Sequence, residues 1–263
     1  MAAMDGVPAE EIRNMKVDGK DEDRVGRDGL PQPVVVLGAT GGTGQSIVRR
    51  LAAMGVRPRV VCRHPEEAQA VFKDAVDVVA GDVTDPPGLC RAVAGAAAVI
   101  DTVGVRPGRA KEALIRAVEY DGTVNLLQVL HDDGFTGRLL YMSALGTTRW
   151  SPSAMALNLF KGNTLKWRRR AEEAIRRSGL DYTIVRAGVL TNEPGGRWPI
   201  LITQRRLRMS LRHRISRDDV AEVILLALAH PAAGRTTFDV VWHPTSEPFD
   251  AMFERLQPDR PAS

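Results

Sequence analysis

Val34-Val35-Val36-Leu37-Gly38-Ala39-Thr40-Gly41-Gly42-Thr43-Gly44 is the stretch on which the reading of the whole chain turns. Its apolar run, rich in β-branched valine, predicts a short strand covered on both faces, and the glycines after it allow a tight turn into a helix expected to begin near Gln45. The first amides of a helix have no intrahelical partner and the macrodipole is positive there, so such a turn can hold a diphosphate by main chain alone. Gly38, Gly41 and Gly44 remove the Cβ atoms that would keep a ligand, or the next strand, at a distance.

Outward from this turn the chain alternates strand and helix. Ile47, Val48, Leu51 and Ala52 form one helical face, which Gly55 ends. Short apolar runs at Arg59–Cys62, Val76–Ala80, Ala98–Val103, Arg138–Met142, Tyr182–Val185 and Thr236–Val241 predict further strands. Helices are expected over Pro65–Val71, Pro86–Ala94, Arg109–Asp132, Asn163–Ser178 with Asn163 as its cap, and from Ser216-Arg217-Asp218-Asp219, a capping box, to just before Pro231. Continuous apolar strands alternating with helices build a parallel sheet covered on both faces, a doubly wound Rossmann-like α/β fold.

The chain has 263 residues, 44% of them hydrophobic, which suits a single domain from residue 33 onward. Before it, 1–32 reads as a flexible polar tail: Met1–Leu30 holds five basic and eight acidic residues, a net of −3, so the rest carries about +7 of the overall +4. Cys62 and Cys90 lack metal-ligand spacing, and no metal is expected. The absence of a long apolar run or a signal-peptide pattern leads to the expectation of a cytoplasmic protein with no membrane partner.

The end of the second strand selects the dinucleotide. An acidic side chain there accepts from a ribose 2′-OH, whereas a basic one suits a 2′-phosphate; here Arg63 is followed by His64, so NADP(H) is the expected cofactor. Asp82-Val83 after the third strand is placed against the adenine edge. Val103-Gly104 after the fourth lies close under the nucleotide.

These residues carry a resemblance. Gly38–Gly44, Arg63-His64-Pro65, Gly81-Asp82-Val83, Tyr120–Asn125, Met142–Gly146, Ser178–Arg186 and Ile215–Ala221 are similar, in this order, to the atypical short-chain dehydrogenase/reductases, the NmrA-like and NAD(P)H-binding branch. The likeness runs from about Pro33 to Val241. It implies NADP(H) in the crevice and a small-molecule substrate over the nicotinamide. The cofactor set it implies is Gly38, Thr40, Gly41, Gly42, Thr43, Gly44, Arg63, Asp82, Val83, Val103, Gly104, Arg168, Ala187 and Gly188.

The chain departs from the family at the catalytic pair. Active members carry Tyr-x-x-x-Lys on the helix after the fifth strand, spaced to share one helical face. Counting back from Ser178-Gly179-Leu180 puts Thr164 and Arg168 at those positions. Arg168 is expected to hold ribose hydroxyls, and Ser143, at the end of the fifth strand, to meet substrate or nicotinamide. The catalytic candidates are therefore Ser143, Thr164 and Arg168, with Lys161 and Lys166 nearby.

The run from Arg168 to Arg177 mixes both signs at i,i+4 spacing and reads as a solvated helix face. The segment 188–214, rich in arginine, is expected to be irregular and to cover the substrate pocket, with Asn192–Gly196 as its hinge. No nucleic-acid motif accompanies its charge, so no nucleic-acid partner is expected, and the oligomeric state is left at monomer or homodimer. The reading that follows is an NADPH-dependent oxidoreductase acting on a carbonyl or conjugated double bond. Its rivals are a non-catalytic NADP(H) sensor and a non-redox cyclase, dehydratase or epimerase on the same fold.

Overall fold

A computed structural model describes residues 29–105, 110–147, 163–245 and 247–260. Most of the expected tail, the start of the helix at Arg109, and Lys161 lie outside these residues. Strand β1, Val34–Leu37, turns at once into α1, Gly42–Ala53, three residues earlier than expected because the glycines themselves wind the first turn. Then follow β2, Arg59–Cys62; α2, Pro65–Phe72; β3, Asp77–Ala80; α3, Pro86–Val93; and β4, Ala98–Asp101. The long helix expected next is interrupted: α4, Glu112–Arg116, passes through a π-helical turn, Ala117–Asp121, into α5, Gly122–Asp132.

Strand β5, Arg138–Ala144, precedes α6, Thr164–Arg177, and β6, Asp181–Ala187. The segment 188–214 is not irregular throughout. It holds β7, Val189–Thr191, and β8, Ile200–Thr203, and runs into β9, Arg214–Ser216. Helix α7, Arg217–Ala229, opens on the expected cap, with Ser216 Oγ accepting from the Asp219 amide at 2.9 Å. Strand β10, Thr236–Trp242, and α8, Phe249–Glu254, complete the described fold.

Eight strands form one sheet in the order β3-β2-β1-β4-β5-β6-β10-β8, parallel in every pairing except β10 with β8. Alternation along β1 divides its side chains between two cores. Val34 and Val36 join Ile47, Leu51, Ile224 and Phe238 under α1, α7 and α8; Val35 and Leu37 join Leu89, Leu126, Leu130 and Ile175 under α3, α5 and α6. The first of these cores also takes in Leu30, so the chain is already anchored before residue 33.

Candidate functional site

A cavity of about 330 Å³ opens across the carboxyl ends of β1 to β4, where open α/β sheets bind ligands. Gly38, Thr40 and Gly41 form its floor, Arg63, Asp82 and Val83 one end, and Val103 and Gly104 the other. The turn is closed by the Gly41 amide donating to Gly38 O at 2.9 Å. Gly38 has φ +75°, and a Cβ there would lie 2.8 Å from the Val103 nitrogen and the Thr102 carbonyl carbon. A Cβ on Gly44 would collide with Gly38 O. The N-cap of α1, Gly41, offers no side-chain hydrogen bond, so the first turn through Gly42, Thr43 and Gly44 is uncapped beside the cavity. A glycine cradle with an uncapped helix start is the shape a dinucleotide diphosphate requires, and the residues present fit one.

At one end the Arg63 side chain is 69% exposed and its Nε stands 4.0 Å from Asp82 Oδ2, loosely enough to turn toward an anion. Asp82 Oδ1 accepts from the amide and hydroxyl of Thr84, both at 2.8 Å, which fixes the loop. Val83 is seated by the Tyr120–Asn125 motif: Asn125 Nδ2 donates to Val83 O at 2.9 Å, and a Cβ on Gly122 would come within 2.6 Å of a Val83 methyl.

At the other end the expected roles change. Arg168 is buried beneath Gly104 rather than open to a ribose: its Nε pairs with Glu119 at 2.6 Å and its Nη1 donates to Met142 O at 2.7 Å. A Cβ on Gly104 would be 2.6 Å from Arg168 Nη2. Glu119 Oε1 accepts from the Val105 amide at 3.1 Å, so the pair props the chain that leaves β4. Asp101 is buried beside them. Burial pushes its carboxyl up to about 6, against the Val103 amide and the Arg168 charge, with Glu119 adding to the rise.

Ser143 also faces inward, 1% exposed, donating to Glu172 at 2.6 Å. Glu172 accepts further from Thr147 at 3.0 Å, from Arg186 at 3.0 and 2.6 Å, and from Arg176 at 3.0 Å. Burial alone would raise the Glu172 carboxyl, but the Arg186 fork, its charge and the Ser143 hydroxyl hold it below the usual range. Ser143 therefore lies off the cavity wall, its hydroxyl engaged by Glu172 rather than open for the expected contact. Thr164 opens α6 half-buried and off the cavity wall. Asn163 does not cap α6; its side chain donates to Glu112 at 3.0 Å. Of the run expected to be solvated, Arg169 and Glu173 pair on the surface at 3.1 Å, while Arg168 and Glu172 point into the protein.

Ala187 and Gly188 lie off the cavity too. Ala187 is core, and Gly188 is where β6 leaves the sheet, a Cβ there lying 2.5 Å from His213 O. No residue of 188–214 lines the cavity. The expected hinge is tied down: Asp219, fully buried, accepts from the Gly196 amide at 2.7 Å and from Trp242 Nε1 at 2.7 Å, and Glu193 pairs with Arg214 at 3.1 Å. Wall residues that the sequence reading missed include Thr102, Val105, Leu114 and Val118. The i,i+4 spacing of Leu114 and Val118 was the available signal for an apolar helical wall.

The family model for NAD(P)H-binding proteins matches residues 38–231. An uncharacterised chloroplastic protein of Arabidopsis thaliana is 35% identical over 79% of this chain and 76% of its own length. Protein TIC 62, chloroplastic, of Pisum sativum is 28% identical over 66% of this chain, which spans only 34% of it. Sanguinarine reductase of Eschscholzia californica is 32% identical over 40% of this chain and 41% of its own length. Among solved structures, a candidate NAD-dependent epimerase/dehydratase from Bacillus halodurans superimposes with TM-score 0.71 at 25% identity, covering 85% of this chain and 99% of that one. The anaerobilin reductase ChuY of Escherichia coli O157:H7 shares the fold at TM-score 0.69 and 21% identity, over 82% of this chain and 100% of that one. The expectation of a cytoplasmic protein is corrected by the first two relatives, both chloroplastic by name. The chain belongs to the NAD(P)H-binding family, within the atypical short-chain dehydrogenase/reductases.

Proposed function

We propose that the protein is an NADPH-dependent reductase of a carbonyl or conjugated double bond in a small organic molecule. The observation that carries this is the cavity itself, in which the glycine cradle and an unburied Arg63 share one wall. When bound, the nicotinamide supplies a hydride. The chain's part is to hold the diphosphate at the start of α1, turn the Arg63 fork onto the 2′-phosphate, and present the nicotinamide end above the Val103–Val105 backbone. Among the described residues Thr40, Arg63, Asp82 and Thr102 are the oxygen- or nitrogen-bearing side chains on the cavity wall, and no tyrosine is among them. Tyr120, Tyr141 and Tyr182 are followed four residues on by Val124, Leu145 and Arg186, never by lysine. Tyr141 lies in the core, off the cavity wall, and burial pushes its hydroxyl above its ordinary range. A conjugated acceptor suits this site, because hydride addition to it needs no strong acid at the accepting carbon. The resemblance to sanguinarine reductase supports a reductase, and the chloroplastic relatives support a plastid setting.

The test is a set of quinones, flavins and enones with NADPH, followed at the nucleotide's reduced-form absorbance. Turnover with at least one is expected. Tight NADPH binding without turnover on any of them would favour a second reading, a nucleotide-sensing protein, which a cavity wall without tyrosine among the described residues already suits. Arg63→Asp should weaken NADPH binding by about a hundredfold and NADH binding little; an equal loss for both would remove Arg63 from the 2′-phosphate.

A further inference from the structure

We propose that Arg217 is a second cation of the nucleotide site, reaching from the start of α7 to grip the diphosphate held by α1. This rests on the nucleotide-binding reading above. The Cδ and Nε atoms of Arg217 lie 2.5 and 2.7 Å from where a Cβ on Gly42 would stand, and Cζ lies at 3.6 Å. The arginine stem thus runs across the first residue of α1, beside the cavity rather than on its wall. Gly42 has no left-handed backbone to explain a glycine there. The room a Cβ would take there is occupied by Arg217.

The charge of Arg217 is held but not neutralised. Its Nη1 donates to Thr191 O at 3.2 Å and to Asn192 Oδ1 at 2.6 Å, both neutral oxygens. The neighbouring carboxylates serve other groups: Asp218 takes Arg50 at 3.1 and 2.9 Å, and Asp219 takes Ser216, Trp242 and the Gly196 amide. Among the described residues no carboxylate pairs with Arg217. A guanidinium beside the uncapped amides of a helix start places two positive features together, an arrangement that favours an anion shared between them. On the nucleotide-binding reading that anion is the dinucleotide diphosphate, present in NADH and NADPH alike. Arg63 chooses between the two nucleotides at the far end, and Arg217 serves both.

The two cations are separated by titrating NADPH and NADH, by calorimetry, into wild type, R217A, R217K, N192A and R63A. R217A is expected to weaken both nucleotides by the same factor, roughly tenfold. R217K keeps the charge but loses the fork, and is expected to fall between wild type and R217A. R63A should weaken NADPH alone. N192A removes the neutral tether and leaves the cation, and should bind both nucleotides within about twofold of wild type. The proposal is overturned if R217A binds both as wild type does, or if N192A reproduces the whole loss. Should R217A fail to fold, R217K decides, and an unchanged affinity for both nucleotides then counts against a diphosphate contact. Wild-type protein that binds neither nucleotide would instead sink the nucleotide-binding reading, and this proposal with it.

Discussion

Gly38 and Gly42 stand four residues apart in one loop and are glycine for different reasons. At Gly38 the backbone is left-handed and the neighbours are main-chain atoms of Thr102 and Val103, which have nowhere to go. Gly38→Ala should cost about 2–4 kcal/mol in denaturant unfolding, the αL penalty and the overlap acting together. At Gly42 the three nearest atoms all belong to the Arg217 side chain, which can swing away. Gly42→Ala should leave stability within about 1 kcal/mol of wild type, since alanine favours the helix, while weakening NADH and NADPH together. A Gly42→Ala protein that unfolds as readily as Gly38→Ala would show that the loop has no such slack. The glycine pattern was legible in the sequence as a dinucleotide turn. Which glycine answers to backbone and which to a distant arginine was not, because Arg217 lies far along the chain.

Helix α6 shows where reading by element succeeds and where it stops. Its end was plain from Gly179, while its start was read from an Asn163 cap that the side chain does not make, and most of its charged residues were read as solvent-facing when Arg168 and Glu172 face inward. Arg168 props the segment after β4 through Glu119, and Glu172 gathers Ser143, Arg186 and Arg176. Sequence spacing assigns an i,i+4 charge pair to a helix but not to an inward face; here the buried partners come from β5, β6 and the π-helical turn. The same pairing carries β5 and β6 past their expected ends, to Ser143 opposite Arg186 and Ala144 opposite Ala187. Asp101 gives this cluster a measurable pH dependence. Its folded pKa of about 6 lies above the ordinary carboxylate value, so the folded state holds the proton more tightly. Its contribution to stability is present below the unfolded pKa and is lost as pH rises through about 6. Asp101→Asn keeps an acceptor for the Val103 amide, which now meets Asp101 Oδ1 at 2.8 Å. It should therefore stabilise the protein at pH 8 by up to about 3 kcal/mol and hardly at all at pH 4. Chemical denaturation at the two pH values checks this, and an equal effect at both would contradict it.

Across the whole molecule, the half from β1 to β4 that builds the cavity was the more legible, because each strand there is a short apolar run closed by glycine or a turn. The half beyond β6 was less so: β8 and β9 are short, and their partners, β10 and β7, lie far away in sequence. Since the cavity belongs to the folded state alone, NADPH at a hundred times its dissociation constant should raise the melting temperature by about 5–10 °C. NADH at the same concentration should raise it less, by the margin that Arg63 provides; identical shifts would mean that the 2′-phosphate is not read. The sheet order also has a bearing on synthesis. Among the described residues Ile200–Thr203 pairs only with Thr236–Trp242, the strand that separates it from β6. Until the ribosome has released that later strand, the aliphatic run Ile200-Leu201-Ile202 has no ladder to join, and for that interval the nascent chain offers chaperones a sticky ribbon.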